Sequence, residues 1–211
     1  MGNLRAGAAA LERSGVRELR RIALALFVAF ALPVFAERPA DVERFLAAAG
    51  AQIGKTITYD PAYTSLTYPG GDVPLDRGVC SDVVVRAFRG VGFDLQKEIH
   101  EDMKRAWSAY PKHWGLRSPD ANIDHRRVLN LMTFFKRRGK SLPVTQNAAD
   151  YQPGDLVTCI VPKNLPHIMI VSDQVSPLDP SRRLIIHNIG QGARAEDRLF
   201  EFELTGHYRW W

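Results

Sequence analysis

The residues of this sequence best suited to covalent chemistry are Cys80 and Cys159 together with the histidine His167. Cys80 opens a run whose apolar residues recur at helical spacing, which predicts a place in the first turn of a buried helix. Unpaired backbone N–H groups and the helix dipole favour negative charge there, and they lower the pKa of a thiol. Cys80 is therefore the predicted nucleophile, and the N–H groups of Cys80 and Ser81 are suited to stabilising an oxyanion.

A cysteine nucleophile needs a base from elsewhere in the fold, and His167 is the predicted base. It follows Pro166 at the start of a β-branched run, so its ring would project from the edge of a sheet. His187 and Asn188 lie on the next predicted strand, and both are candidates to orient the imidazole. Because side chains alternate along a strand, only one of them can share a face with His167.

Other interpretations of these residues stay open at this level. In an exported protein two cysteines are typical of one disulfide, and a bond between Cys80 and Cys159 would block the chemistry or make it depend on redox state. Cys159 lies inside a predicted strand, where it is typical of a small buried apolar residue. His167, taken by itself, would most simply be a structural histidine.

The first 36 residues have the layout of a secretory signal peptide. A leader with five arginines precedes an uncharged apolar run over residues 22–35, and cleavage is expected after Ala36. The run is shorter than the roughly 20 residues that span a membrane. We therefore expect a periplasmic or secreted protein with no stable membrane span in its mature form; an uncleaved N-terminal anchor is the alternative.

Composition favours one folded domain over residues 37–211. Apolar residues make up 45% and charged residues 24% of the chain, as in ordinary globular proteins. The whole chain has a net charge of +5, but the leader carries five arginines and two glutamates, so the mature part is only +2. A charge this small gives no basis for nucleic-acid binding, and we expect no nucleic-acid partner.

Hydrophobic periodicity divides the domain into a helical half and a strand half. Helices are predicted over residues 37–55, from Cys80 to about Gly90, over Gln96–Tyr110 and over His125–Arg138, with Asp41 and Asp124 as N-caps. Strands are predicted over Ile57–Tyr59, Leu156–Val161, His167–Ser172, Leu184–Asn188, Leu199–Leu204 and His207–Trp211. Helices followed by consecutive antiparallel strands indicate an α+β protein.

Five motifs occur in an order that resembles the NlpC-type cell-wall peptidases, which are papain-like cysteine hydrolases. They are Tyr68-Pro69-Gly70-Gly71, Gly78-Val79-Cys80-Ser81-Asp82, Gln152-Pro153-Gly154-Asp155-Leu156-Val157, His167-Ile168-Met169-Ile170-Val171 and Ile186-His187. Within that superfamily the chain, including its segment 124–127, resembles a secreted bacterial family designated domain of unknown function 1287. The resemblance implies a papain-like fold, with N-terminal helices packed on a C-terminal antiparallel sheet, and a triad of Cys80, His167 and His187.

The resemblance also implies that the protein hydrolyses an amide bond in peptidoglycan stem peptides, with no metal or other cofactor. Substrate contacts are expected from Tyr68, Ser81, Asp82, Asn188 and Arg126. Arg126, or its neighbour Arg127, is a candidate because a guanidinium fork suits carboxylates. Asp82 stands where those peptidases usually carry glycine. The block 94–150, longer than their usual connection, is predicted to be a helical insertion that forms one groove wall and sets specificity.

Two other classes of function stay open. One is a non-catalytic module that keeps the groove and binds the cell wall. The other is a thiol amidase or acyltransferase that acts on another substrate, such as a lipid or a protein side chain. The expected partner is peptidoglycan or another cell-envelope substrate, and the sequence leaves the oligomeric state open. The remaining histidines lack metal-ligand spacing, so no metal site is predicted.

Overall fold

The computed structural model describes residues 39–211, so the predicted signal peptide of residues 1–36 lies outside the described residues. The helices are α1 (Ala40–Gly50), α2 (Cys80–Arg89), α3 (Leu95–Arg105) and α4 (Val128–Arg137). The strands are β1 (Thr58–Tyr59), β2 (Arg77–Gly78), β3 (Ser141–Leu142), β4 (Leu156–Val161), β5 (Leu165–Val175), β6 (Arg183–Asn188), β7 (Ala193–Glu196) and β8 (Glu203–Tyr208). This combination of helices and a largely antiparallel sheet confirms the predicted α+β class.

The main sheet has six strands in the order β3-β8-β4-β5-β6-β7, all antiparallel to their neighbours. Its central strands β4 and β5 pair continuously, and Cys159 lies directly opposite His167 in that register. A second, two-stranded parallel pairing joins β1 to β2 immediately before Cys80. The chain therefore reaches the start of α2 along a segment that is itself hydrogen-bonded.

Helix α2 is the most deeply buried helix because apolar residues surround much of it. Phe88, near its end, is fully buried and contacts the rings of Phe45, Phe93, Phe135, Trp210 and Trp211. Gly90 comes directly after the last residue of α2, and a Cβ at this position would lie 2.4 Å from the Cβ of Ala48. This close approach sets α1 against α2 and fixes the direction of α2 across the sheet.

Arg86 holds the loop that leads to Cys80. Its guanidinium is buried and pairs with Asp72 at 2.8 Å. The same group donates to the carbonyls of Val73, Pro74 and Arg77, at distances of 3.0 to 3.3 Å. A buried arginine is stable only when its donors are satisfied, so the loop and the helix stabilise each other.

Two predicted N-caps were wrong. Helix α1 begins at Ala40 with Pro39 at the cap, which places Asp41 inside the first turn. The segment 124–126 is a short 3-10 turn and α4 starts only at Val128, because the Asp124 side chain is buried and bonded to His100 at 3.0 Å. Because the carboxylate of Asp124 is bonded to His100 of α3, it is not available to cap α4.

Other predicted boundaries moved for packing reasons. Helix α3 starts at Leu95, capped by the side chain of Asp94, and ends at Arg105 instead of continuing to Tyr110. A strand was predicted from Leu199, but strand β8 begins only at Glu203. Leu199 packs instead in a small second core behind the sheet. The last strand ends at Tyr208, and Trp211 packs against the main core. Within residues 39–211, no helix has the length and apolarity needed to cross a membrane.

Candidate active site

Cys80 is the first residue of α2, as the sequence predicted, and only 4% of its surface is exposed. Backbone N–H groups of Cys80, Ser81 and Ile168 contact its thiol. The first two belong to the open turn of the helix, where N–H groups have no partner within the helix. The third comes from β5, from the residue that follows His167. The nucleophile candidate therefore lies where the helix start meets the beginning of β5.

The protonation state of Cys80 differs from the prediction. Burial raises the pKa of the thiol to about 11, and the charge of Asp82 adds to the rise. The surrounding N–H groups act in the expected direction and lower the pKa, but they do not compensate for burial. The helix start was correctly located, yet desolvation outweighs its field. The resting site holds a neutral thiol.

His167 and His187 are brought together by neighbouring strands. The Nε2 atom of His167 lies 2.8 Å from Nδ1 of His187, and both rings are almost completely buried. Nε2 of His187 in turn lies 2.9 Å from a carboxylate oxygen of Glu196 on β7. The three side chains form a hydrogen-bonded line across β5, β6 and β7, which we call the His-His-Glu relay.

The carboxylate at one end of the relay determines where its protons lie. Because Glu196 accepts, Nε2 of His187 carries a proton and Nδ1 of His187 is left as an acceptor. His167 must then donate from Nε2, so its own Nδ1 keeps a free lone pair. This is the tautomer that a base requires, and the hydrogen-bond network assigns it without any charge on the histidines.

Both histidines of the relay are kept neutral by burial. Burial lowers the pKa of His167 to about 3, and the neighbouring His187 acts in the same direction. Burial also lowers the pKa of His187, although Glu196 opposes that shift. At neutral pH the relay therefore holds neutral imidazoles and Cys80 holds a neutral thiol, so neither carries charge at rest.

Asp82 and Arg126 form a buried ion pair next to Cys80. Two nitrogens of Arg126 donate to the two carboxylate oxygens of Asp82, at 2.9 and 3.0 Å, and both side chains are at most 3% exposed. The same guanidinium donates to the carbonyls of Asp60 and Ala62. Asp82 also accepts from the N–H of Val79, at 2.7 Å. These groups are fully engaged within the protein.

Gly78 is required by this arrangement. Its φ is +154°, and a Cβ at this position would lie 2.9 Å from a carboxylate oxygen of Asp82. The missing side chain therefore makes room for the carboxylate of Asp82. The Ser81 hydroxyl donates to the carbonyl of Arg126 at 2.8 Å, so it too connects α2 to the insertion.

The other predicted contact residues have internal partners. Asn188, adjacent to His187, faces the opposite way along β6 and donates to the carbonyl of Gly78 at 2.9 Å. His187 therefore contacts His167, and Asn188 positions the segment before Cys80. Tyr68 lies against His100 and donates to Glu101 at 2.8 Å; burial raises its pKa to about 12.

The two cysteines are free thiols in this structure, and both are buried. Burial raises the pKa of Cys159 to about 12, with the charge of Cys80 as the next contribution. Cys159 belongs to the small core on the side of the sheet that includes Met169 and Leu199. Its surroundings are those of a packed apolar residue, as the sequence indicated.

A cleft opens at Cys80, with a volume of about 270 Å³. Besides Cys80, it is lined by Tyr59, by Trp114 and Arg127 from the insertion, and by Leu165 and Pro166 at the start of β5. Burial raises the pKa of Tyr59 to about 12, and the charge of Cys80 contributes to the rise. The cleft connects solvent to the buried thiol, and the segment 94–150 supplies part of its wall.

Sequence reasoning missed Glu196 and Tyr59 as components of this region. Glu196 lies on β7, a four-residue strand that no hydrophobic pattern in the sequence predicts. This strand follows β6 after a glycine-rich turn. A short strand expected to return beside His187 would have suggested it. In the part of the chain that the structure describes, no group of three or more His, Cys, Asp or Glu residues could hold a metal ion.

Comparison with known proteins identifies the family. The family model described as "Domain of unknown function (DUF1287)" matches residues 46–210. The chain belongs to the DUF1287 family. Its relatives include a protein of Escherichia coli strain K12 named "Uncharacterized protein YijF", which is 54% identical over 159 residues. That alignment covers 75% of this chain and 77% of the relative.

The buried ion pair gives a prediction for stability. Asp82→Asn or Arg126→Met should each lower the free energy of unfolding by about 3–5 kcal/mol, because each leaves a buried charge without its partner. The double variant should recover part of that loss. Urea denaturation of the three variants measures the effect. Arg44→Met is the matched control: its pair with Asp41 is exposed, and the expected loss is about 1 kcal/mol or less. A loss as small for Asp82→Asn would contradict the assignment.

The neutral histidine gives a prediction for pH dependence. Unfolded His167 takes up a proton near its ordinary pKa of 6.5, whereas the folded residue does so only near pH 3. The unfolded state thus binds more protons in this window, and stability should fall as the pH is lowered through it. His167→Gln should reduce that slope by up to about 1.4 kcal/mol per pH unit. The buried His125 keeps its own contribution in both proteins. Urea denaturation at several pH values gives both slopes, and equal slopes would refute the burial argument.

Proposed function

We propose that this protein is a cysteine hydrolase that cleaves an amide bond, with Cys80 as nucleophile and His167 as base. The observation that carries the proposal is the His-His-Glu relay, which leaves Nδ1 of His167 as the free acceptor. The thiol of Cys80 contacts the backbone N–H of the next residue, Ile168. Nucleophilic catalysis by cysteine needs a thiol at a helix start and an imidazole that a second polar side chain orients, and the structure supplies both kinds of group.

The proposed reaction starts from neutral groups. Nδ1 of His167 takes the thiol proton while the sulfur of Cys80 attacks the amide carbonyl carbon, forming the C–S bond. The N–H groups of Cys80 and Ser81 stabilise the oxyanion. His167 then returns the proton to the departing amine, and the C–N bond breaks. Water, deprotonated by His167, releases the acyl group from the sulfur and regenerates the thiol.

The relay would support this cycle by stabilising a transient charge. When His167 takes up a proton, positive charge develops at a buried ring. His187 accepts from that ring and donates to the carboxylate of Glu196, whose side chain is 26% exposed. Negative charge at the far end of the relay lowers the cost of the imidazolium, and the two hydrogen bonds hold the ring in position.

We place this activity on a papain-like fold and on peptides of the bacterial cell wall. The fold assignment is supported by helix α2 at the face of an antiparallel sheet, and by the contribution of β5 and β6 to the site. The substrate assignment is supported by the order of the five motifs and by the expected export signal. The cleft at Cys80 is compatible with a short peptide.

The nucleophile is tested directly by substitution. Cys80→Ala should abolish the release of peptide or amine from purified peptidoglycan, measured by mass spectrometry, because no other group can form the acyl intermediate. Cys159→Ala is the matched control and should retain the activity. Circular dichroism verifies that both variants are folded. Unchanged turnover by Cys80→Ala would end the proposal. Binding to cell-wall sacculi without any product from the unsubstituted protein would instead favour a non-catalytic module.

The relay predicts a role for a residue that no motif contains. Glu196→Gln should lower kcat at least about tenfold, because an amide that donates to His187 would reverse the tautomers and put a proton on Nδ1 of His167. Glu98→Gln is the control, since Glu98 lies on α3, pairs with Arg138 and does not belong to the relay. Steady-state kinetics on the same peptidoglycan fragments separates kcat from KM. Equal kcat values for the two variants would show that Glu196 does not set the protons.

A further inference from the structure

The cleft beside Cys80 has an unusual balance of charge. The only charged side chains among its lining residues are Arg126 and Arg127. Arg126 is neutralised by Asp82 and has its donors engaged by backbone carbonyls. Among residues 39–211, the side chain of Arg127 has no hydrogen bond and no ion pair. The cleft therefore contains one positive charge without a direct counter-charge.

Arg127 is nevertheless held in place. Its guanidinium carbon lies 4.1 Å from the centre of the Trp114 ring. Stacking on an aromatic ring restricts a guanidinium while leaving the N–H donors at its edge available to a ligand. Burial lowers the pKa of Arg127, which shows that protein surrounds part of the group; Asp124 and Asp120 oppose the shift. A partly desolvated, restrained guanidinium loses little entropy when it binds an anion.

The rest of the cleft makes that donor selective. Most other lining residues are apolar, including Val79, Ile123, Val128 and Leu129. Such surroundings strengthen a hydrogen bond between ions and disfavour an uncompensated charge. The volume of about 270 Å³ is slightly below the usual range for small-molecule sites, so the cleft suits one residue of a peptide better than a polymer strand.

We propose that Arg127, held by Trp114, binds a free carboxylate of the substrate next to the amide bond that Cys80 attacks. A guanidinium fork and a carboxylate match as a bidentate pair, and both Cys80 and Arg127 line the same cleft. The preferred substrate is thus an acidic peptide with an unmodified carboxylate close to the scissile bond. This inference deepens the proposed function and assigns to the insertion the recognition of that carboxylate.

The experiment measures binding separately from turnover. Soluble peptidoglycan fragments are prepared in two forms, one with free carboxylates and one with carboxylates converted to carboxamides. Their affinities for the full chain carrying Cys80→Ala are compared by calorimetry. The carboxylate form should bind at least about tenfold more tightly, because hydrogen bonds between charged groups are roughly twice as strong as those between neutral groups. Adding Arg127→Gln should remove that preference.

Two further variants, again with Cys80→Ala, locate the effect. Arg138→Gln is the matched control, because Arg138 also lies over a ring, that of Phe134, but outside the cleft; it should keep the preference. Arg194→Gln tests a separate cavity, whose lining residues include Arg194 and Glu196. Equal affinity for the two fragment forms, no binding of either form, or a preference lost with Arg194→Gln and not with Arg127→Gln would overturn the subsite.

The outcome is independent of the reaction. If the unsubstituted protein hydrolyses neither form but binds the carboxylate form through Arg127, the subsite stands and the proposed hydrolase activity fails. If the protein hydrolyses both forms equally well and binds them equally, the activity stands and the subsite fails.

Discussion

The buried pair of Asp82 and Arg126 is the interaction on which the arrangement of this site depends. The carboxylate of Asp82 pairs with the guanidinium of Arg126 and accepts a hydrogen bond from the N–H of Val79, immediately before Cys80. One guanidinium joins that carboxylate to the carbonyls of Asp60 and Ala62. Three segments far apart in sequence therefore meet at one charge pair. Its removal would weaken the connection among the loop, the helix start and the segment 94–150, which would still be joined by the hydrogen bond from Ser81 to the carbonyl of Arg126.

Burial, more than the helix dipole, controls the chemistry around this pair. The field of the helix start does lower the pKa of Cys80, but the cost of placing a thiolate among apolar side chains is larger. The same cost keeps His167 neutral. A resting ion pair of thiolate and imidazolium is therefore disfavoured. In the proposed reaction, charge would separate only when a substrate carbonyl accepts the electrons from sulfur.

The sequence predicted those parts of the fold that depend on local pattern. Cys80 at the first position of a helix and the bounds Leu156–Val161 of β4 agree with the structure. Strand β5 begins at Leu165, two residues before the predicted start at His167. The pairing of His167 with His187 agrees with side-chain alternation along β5 and β6. Asn188, the alternative partner, faces Gly78 for the same reason.

What the sequence could not supply are properties of three-dimensional contact. Asp124 looked like a helix cap, but a residue of another helix, His100, claims its carboxylate. Arg126 and Arg127 are adjacent, identical in type and both line the cleft, yet only Arg126 is held by a buried ion pair. Glu196 escaped notice because its strand has only four residues. Burial, which sets every shifted pKa here, is not encoded in any local pattern.

In the proposed mechanism, the relay is what would allow a buried, neutral histidine to act as a base. An imidazole that protonates only near pH 3 is a weak base at rest, since its surroundings offer little to stabilise a positive charge. The exception is the line through His187 to Glu196, the member of the relay that is most open to solvent. A proton accepted at Nδ1 of His167 places charge at one end of a line whose other end carries a carboxylate. The driving force for deprotonating Cys80 thus comes from the attacked carbonyl, and the relay makes the transient imidazolium tolerable inside the protein.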